Sequence, residues 1–321
     1  MDNKKPRRTP TVIMKKYLIT GSEGLVGSAL KKLLGDGHVY HTRKDAELTD
    51  REKTLDYINY HVKHNGVDTI INCAAKVGGV QANMKNNKKF FIDNFVLNNN
   101  VIEASFRNEI PNFVNILSTC IFPDKNITYP LTANQIDLGP PHHSNHGYAY
   151  AKRLAGYEMN IVKQVLNSNW VSVVPTNVYG PHDNFHLEDG HVIPAMIHRA
   201  FLANKNNEKM VVWGDGSQLR QVIYSEDLAK LIIWSLNNWK HDEPFMAINS
   251  NEITILEIAK EICKNFNINE KDLIFDDTKP KGQHRKPAVS DAISEFKFTP
   301  LSDGIKNSVE WFLTNYPNIR K

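Results

Sequence analysis

The stretch Gly21-Ser22-Glu23-Gly24-Leu25-Val26-Gly27 restricts what this chain can fold into more than any other. It follows Tyr17 to Thr20 (YLIT), a short apolar, β-branched run that reads as a buried strand. It leads into Leu25 to Leu34, where Leu25, Val26, Ala29, Leu30 and Leu33 recur at helical spacing before Gly35 and Gly37 stop the helix. In a G-x-x-G-x-x-G turn between a first strand and a first helix the glycines divide the work. Gly21 permits the tight turn, Gly24 lets backbone approach a pyrophosphate, and Gly27 allows close helix–sheet packing. The helix start then offers unpaired N–H groups and a positive dipole end to phosphates.

Four more runs read as strands: Val39 to Thr42, Asp68 to Ala75, Asn112 to Thr119 and Trp170 to Val174. The segments between them are long enough for helices. Such alternation predicts a doubly wound parallel sheet of the Rossmann type, an α/β fold. After about Asn177 the pattern loosens into a polar, turn-rich segment, Pro181 to Gly190. A strand at Met210 to Trp213 follows, and then an amphipathic helix opened by a Thr254/Glu257 capping box. The expected organisation is a Rossmann domain over 15–178 with a return segment at about 221–238. A smaller C-terminal α/β substrate-binding cap is expected over 179–220 and 239–321. Residues 1–14 are read as a flexible basic leader.

Composition narrows the class. The 321 residues are 41% hydrophobic and 23% charged with a net charge of +4, an ordinary balance for a globular chain. It makes no case for a nucleic-acid or membrane surface. Three cysteines cannot build a disulfide framework and suit a reducing compartment, so a cytoplasmic protein is expected. No run approaches the roughly 18 apolar residues that span a bilayer, and no metal site is expected.

The second strand ends in Thr42-Arg43-Lys44 rather than in an acid, which favours NADP over NAD because arginine accommodates a 2′-phosphate. Asp45 and Glu47 follow closely and temper that preference. Tyr148 and Lys152 stand four apart on a predicted helix, hence on one face. The ammonium is expected to draw the phenol toward its ionised form, so that Tyr148 can exchange a proton with a carbonyl oxygen during hydride transfer. Ser118, thirty residues upstream at the end of the fourth strand, can hydrogen-bond the same oxygen.

With these residues in place the chain resembles the extended short-chain dehydrogenases/reductases. Across the strings CAAKVGG, STCIFPD, GPPHHSNHGYAYAKR, PTNVYGPHDNFHLEDGHVIPAMIHR and VVWGDGSQLRQVIYSEDL it resembles the GDP-L-fucose synthase family within them. The similarity runs from about Lys15 to the C-terminus. It implies inversion of C3 and C5 of a GDP-linked 4-keto-6-deoxy-mannose and then NADPH-dependent reduction of C4. Ser118 and Tyr148 would bind the C4 oxygen, Cys120 would be the epimerisation base and His191 the partner acid. In extended geometry Cys120 would face the same way as Ser118. The resemblance also implies cofactor contacts from Gly21, Ser22, Glu23, Gly24, Leu25, Val26, Gly27, Arg43, Leu117, Lys152, Pro175, Asn177, Val178 and His191. Substrate contacts would come from Ser118, Asn177, Arg199, Trp213, Arg220 and Lys286. It further implies a homodimer built through two long helices, one carrying Tyr148 and Lys152.

Two departures stand out. Glu23 replaces an arginine that some members carry between the first two glycines. Lys281, in KPKG, replaces an aspartate that some members turn toward substrate. Another NAD(P)-dependent nucleotide-sugar epimerase or dehydratase of the same fold remains the alternative. Against a dehydratase, Cys120-Ile121 stands where acidic residues are usual.

Overall fold

Thr20, the last residue of the first strand, donates its hydroxyl to Asn72 Oδ1 at 2.6 Å across the sheet. Asn72 passes the contact on to Asn98 (3.1 Å) and Asn115 (3.0 Å). All four side chains are buried. The oxygens of all three amides are engaged in this network, while Asn115 Nδ2 is buried without a partner. This ladder lies at the carboxyl edge of a six-stranded parallel sheet in a computed structural model that describes residues 15–279 and 284–320. The leader at 1–14 and Lys281 lie outside the described residues.

The strands of that sheet are β1 (Tyr17–Thr20), β2 (Val39–Tyr40), β3 (Thr69–Asn72), β4 (Asn112–Ile116), β5 (Asn169–Pro175) and, later in the chain, Phe245–Ala247. Helices α1 (Leu25–Leu34), α2 (Arg51–Asn65), α3 (Val80–Lys85), α4 (Asn87–Arg107) and α5 (His146–Leu166) intervene. Beyond β5 come β6 (Asn177–Tyr179), α6 (Val192–Asn206), β7 (Met210–Trp213), β8 (Leu219–Tyr224), α7 (Ser225–Asn238) and β9, the Phe245–Ala247 strand. The chain continues as β10 (Glu252–Thr254), α8 (Ile255–Lys264), β11 (Leu273–Asp276) and α9 (Leu301–Asn315).

The main sheet runs β2-β1-β3-β4-β5-β9, all parallel. The order reverses between β1 and β3, and ligands of open α/β sheets bind at such a switch point. One face is filled by Leu30, Ile71, Val114, Ile232 and Phe245 under α1 and α7. The other is filled by Leu18, Ile58, Val101, Phe113 and Trp170 under α2, α4 and α5. A separate core of Phe185, Ile197, Val212, Ile258 and Phe312 belongs to the cap. There β6, β8 and β10 form one small sheet and β7 pairs with β11. Thr254 and Glu257 form the expected capping box at the start of α8.

Three expectations are corrected. The return of the chain to the main sheet reaches beyond 238, because β9 pairs with β5. Strands β2, β3 and β4 are shorter than their apolar runs, since the chain leaves the ladder as soon as it enters the site. Ser118 therefore stands two residues past β4. It is followed by a 3₁₀ turn, Thr119–Ile121, and not by extended chain, so strand alternation does not relate it to Cys120.

The glycine turn closes onto itself. A Cβ on Gly27 would stand 2.3 Å from Gly21 O and 2.6 Å from Ser22 Cα, and both are backbone atoms that cannot swing aside. Gly27→Ala is expected to cost about 1–3 kcal/mol. The check is a lowered Tm together with weakened NADPH binding; an unchanged Tm would show that the turn can open without cost.

Candidate active site

A cavity of about 820 Å³ opens over the carboxyl edge of the main sheet. That volume lies within the range of small-molecule sites. Its floor is the glycine turn. Gly24 begins α1 with no side-chain cap and no acidic residue in the first turn, which leaves the helix N–H groups and the dipole end open to an anion. Gly21, at φ +63°, approaches so closely that a Cβ would stand 2.9 Å from Ala74 Cα beyond β3. Only a glycine fits there. Ser22 does not line the cavity. It is buried, and its hydroxyl donates to His41 O at 2.9 Å, tying the turn to the end of β2.

Arg43 and Lys44 stand at the cavity beyond β2. The acid that could have argued for NAD is engaged elsewhere, because Asp45 accepts from the backbone N–H (2.7 Å) and hydroxyl (2.8 Å) of Thr42. Those bonds hold its carboxyl below the usual range. Arg43 makes only a loose, exposed contact with Glu47 at 3.7 Å, so its guanidinium is available to a 2′-phosphate. The open helix start, the glycine cradle and these two cations fit NADP.

The opposite wall is built where β4 meets α5. Lys152 is buried, and its ammonium donates to Ile116 O at 2.7 Å. Arg153 holds Ile121 O (3.1 Å from Nε) and Gly139 O (3.0 Å from Nη1). Between these anchors the chain turns so that Ser118, Cys120 and Tyr148 all line the cavity. Ser118 Oγ accepts from the Cys120 backbone N–H at 3.2 Å, which leaves its own O–H hydrogen to donate elsewhere. Burial, not Lys152, dominates Tyr148. Loss of solvation, then the nearby Cys120, pushes its phenol up, and Lys152 is itself pushed down to about 8 by burial. The expected pull of the ammonium on the phenol is thus absent, because the ammonium is directed at a carbonyl. Cys73, beside Lys152, is driven up to about 12 by burial.

His191, at the start of α6, comes from the cap side and lines the same cavity. Its Nδ1 lies 3.8 Å from Asp183 Oδ1. Leu117, Pro175, Asn177, Val178, Arg220 and Lys286 also line the cavity. Asn177 is fixed by a hydrogen bond from its Nδ2 to Gln221 O at 2.9 Å. Arg199 and Trp213 do not line it. They stack on each other, with the guanidinium carbon 4.2 Å from the ring centroid, and Arg199 also donates to Leu187 O. Sequence reasoning missed Asp183, His142, Ser144 and Asn145, which lie in polar loops without a motif of their own. The one available signal was the crowding of His and Asn just ahead of Tyr148.

Comparison with known proteins agrees with this geometry. Residues 17–249 match the family described as NAD dependent epimerase/dehydratase family. The chain is 41% identical to a GDP-L-fucose synthase of Dictyostelium discoideum, over 98% of this chain and 100% of that protein. It is 37% identical to a probable GDP-L-fucose synthase of Drosophila melanogaster, over 96% and 100%. A crystal structure of a GDP-L-fucose synthetase from Naegleria fowleri bound to NADP superposes with a TM-score of 0.87 at 34% identity, covering 96% of this chain and 95% of that one.

Burial of Lys152 has a thermodynamic consequence. Its folded-state value, about 8, lies below the ordinary 10.5. Keeping it protonated therefore costs stability in full below pH 8, and the cost fades between pH 8 and 10.5. The stability of Lys152→Met relative to the parent is expected to fall as pH rises from 7 toward 10, because the parent's desolvation cost fades over that range while the variant lacks the bond to Ile116 O throughout. Urea unfolding at pH 7 and pH 10 checks this; a difference unchanged between the two would mean that burial does not depress Lys152.

Proposed function

The chain belongs to the NAD dependent epimerase/dehydratase family, and within it to the GDP-L-fucose synthases; from that membership we propose that it inverts C3 and C5 of GDP-4-keto-6-deoxy-mannose and then reduces C4 to give GDP-L-fucose. One observation carries the reading. Ser118, Cys120, Tyr148, Lys152 and His191, drawn from the β4 exit, α5 and the cap, line the same cavity as the glycine turn.

Both inversions occur next to a ketone, where a C–H proton is acidic. We assign Cys120, as thiolate, the removal of the C3 proton. The C–H electron pair moves into a C3=C4 double bond and the C4 oxygen becomes an enolate. Ser118, whose hydroxyl proton is not used by the backbone, and Tyr148, whose phenol is kept protonated by burial, are the donors for that oxygen. His191, on the cap side, returns a proton to the other face of C3. The thiol and imidazole then re-equilibrate with water, and the same exchange at C5 completes the inversion. NADPH, when bound, supplies the hydride that reduces C4. Tyr148 gives its proton to the C4 oxygen in that step. Lys152, held by Ile116 O, fixes the helix face that presents Tyr148 and reaches the nicotinamide ribose. Arg220 and Lys286, both depressed by burial, are placed to meet the sugar diphosphate, whose charge would compensate them. Arg199 and Trp213 would reach the GDP end from beside the cavity.

We also place the protein in the cytoplasm as a homodimer. Its described cysteines are all free, which suits a reducing compartment. Among the described residues no helix is long and apolar enough to cross a membrane. The outer faces of α4 and α5 expose Ile92, Phe95, Leu154, Tyr157, Ile161 and Val165, an apolar surface that a second copy would cover.

Purified protein given GDP-4-keto-6-deoxy-mannose and NADPH should oxidise the cofactor and form GDP-L-fucose; folded protein that binds NADPH without turnover would overturn the reading. Cys120→Ser should lower exchange of the C3 and C5 hydrogens with deuterium oxide by about 10²-fold or more, read by NMR; unchanged exchange removes Cys120 from the base role. Arg43→Ala should weaken NADPH about tenfold or more while leaving NADH nearly unaffected, as measured by fluorescence titration; equal losses would mean that Arg43 does not read the 2′-phosphate.

A further inference from the structure

The Asn145 amide donates from Nδ2 to Cys120 Sγ at 2.9 Å. Nothing in the local fold demands this contact. Asn145 occupies the N-cap position of α5, where an asparagine ordinarily serves the first backbone N–H groups of the helix, yet its side chain caps none of them. Its backbone is held separately, through a bond from its N–H to His142 O at 3.2 Å. Its Oδ1 is buried without a hydrogen-bond partner, a cost that the helix gains nothing from. The amide is thus turned with its donor to the sulfur and its acceptor unsatisfied.

We propose that Asn145 is a positioning residue that orients the Cys120 sulfur and stabilises it as thiolate through this amide donor. The proposal rests on the reading of Cys120 as the base and extends it. An N–H donor binds an anionic sulfur more strongly than a neutral one. The bond therefore favours the sulfur before it takes the C3 proton. It weakens once the S–H bond has formed and the C–H pair has passed into the enolate. The other charged and titratable groups facing this turn are Lys286, Tyr148, Arg153 and the His142–Asp124 pair. Of these, Lys286 supplies the nearest compensating charge. It is a diffuse attraction from a long side chain, whereas the amide is fixed by the α5 backbone and sets direction as well as charge.

The test compares Asn145→Ala and Asn145→Asp with the parent full-length protein. Iodoacetamide labelling of Cys120 is followed against pH by peptide mass, with Cys120→Ser as the blank for Cys73 and Cys263. In Asn145→Ala the rise of labelling with pH should move up by about one unit, roughly a tenfold loss of rate at neutral pH. Asn145→Asp keeps the side-chain size but replaces the donor by an anion, so its profile should move further. Solvent exchange at C3 and C5 should fall in the same order and recover partly at higher pH, while NADPH affinity and Tm stay near the parent values. A labelling profile unmoved in both variants overturns the proposal. So does a larger effect from Ala than from Asp, because that order reports lost packing. The exchange rate of Cys120→Ser judges the base reading on its own. If that variant exchanges normally, the base reading falls, while a shifted labelling profile still upholds the Asn145–thiolate contact.

Discussion

The active-site architecture depends on how α5 lies against the end of β4. Where β4 ends at Ile116, the carbonyls of Ile116 and Ile121 are buried and bond to side chains rather than to a strand. Buried backbone acceptors require partners. Helix α5 provides them from two adjacent side chains: Lys152 to Ile116 O, and Arg153 to Ile121 O and Gly139 O. These bonds fix the 3₁₀ turn that carries Cys120 and the approach of Ser118 to the cavity. Because Asn145, Tyr148 and Lys152 are spaced three and four apart, one helical face meets this turn along its length. The same contact therefore closes the fold and sets out the reactive groups.

The electrostatics follow from that burial. Lys152, Arg220 and Lys286 are each depressed by loss of solvent. Together with Arg43 and the uncapped start of α1, they line the cavity. Such a site favours ligands that carry several phosphates, since a bound anion restores what burial removed. A dinucleotide phosphate and a sugar nucleoside diphosphate both meet that condition. In the function proposed above, the glycine turn would take the phosphates of one ligand and the cap residues those of the other.

The proposed acid–base groups sit in different environments. Tyr148 is held protonated by burial and suits proton donation to a ketone oxygen. Cys120 sits half-buried on a 3₁₀ turn near the Lys286 ammonium and beside an amide donor. His191 stands across the cavity with Asp183 behind it. In the proposed mechanism the thiol, from the turn after β4, and the imidazole, from the start of α6, would act on opposite faces of the sugar.

Much of this was legible in local sequence. The parallel sheet, the glycine cradle, the cap, and the candidates Ser118, Tyr148 and Lys152 follow from periodicity and short spacings, because each is encoded within a few residues of a strand or helix end; Cys120 and His191 follow from family resemblance alone. The Arg43–Lys44 end of β2 was readable for the same reason. Long-range placement was not. That Lys152 points to a carbonyl and not to its tyrosine, that Arg199 and Trp213 stack outside the cavity lining, and that Asn145 reaches Cys120 are decided only when helix, turn and cap are packed together. Local spacing determines which groups share a face. Burial and the demand of buried carbonyls for donors decide where each group finally points.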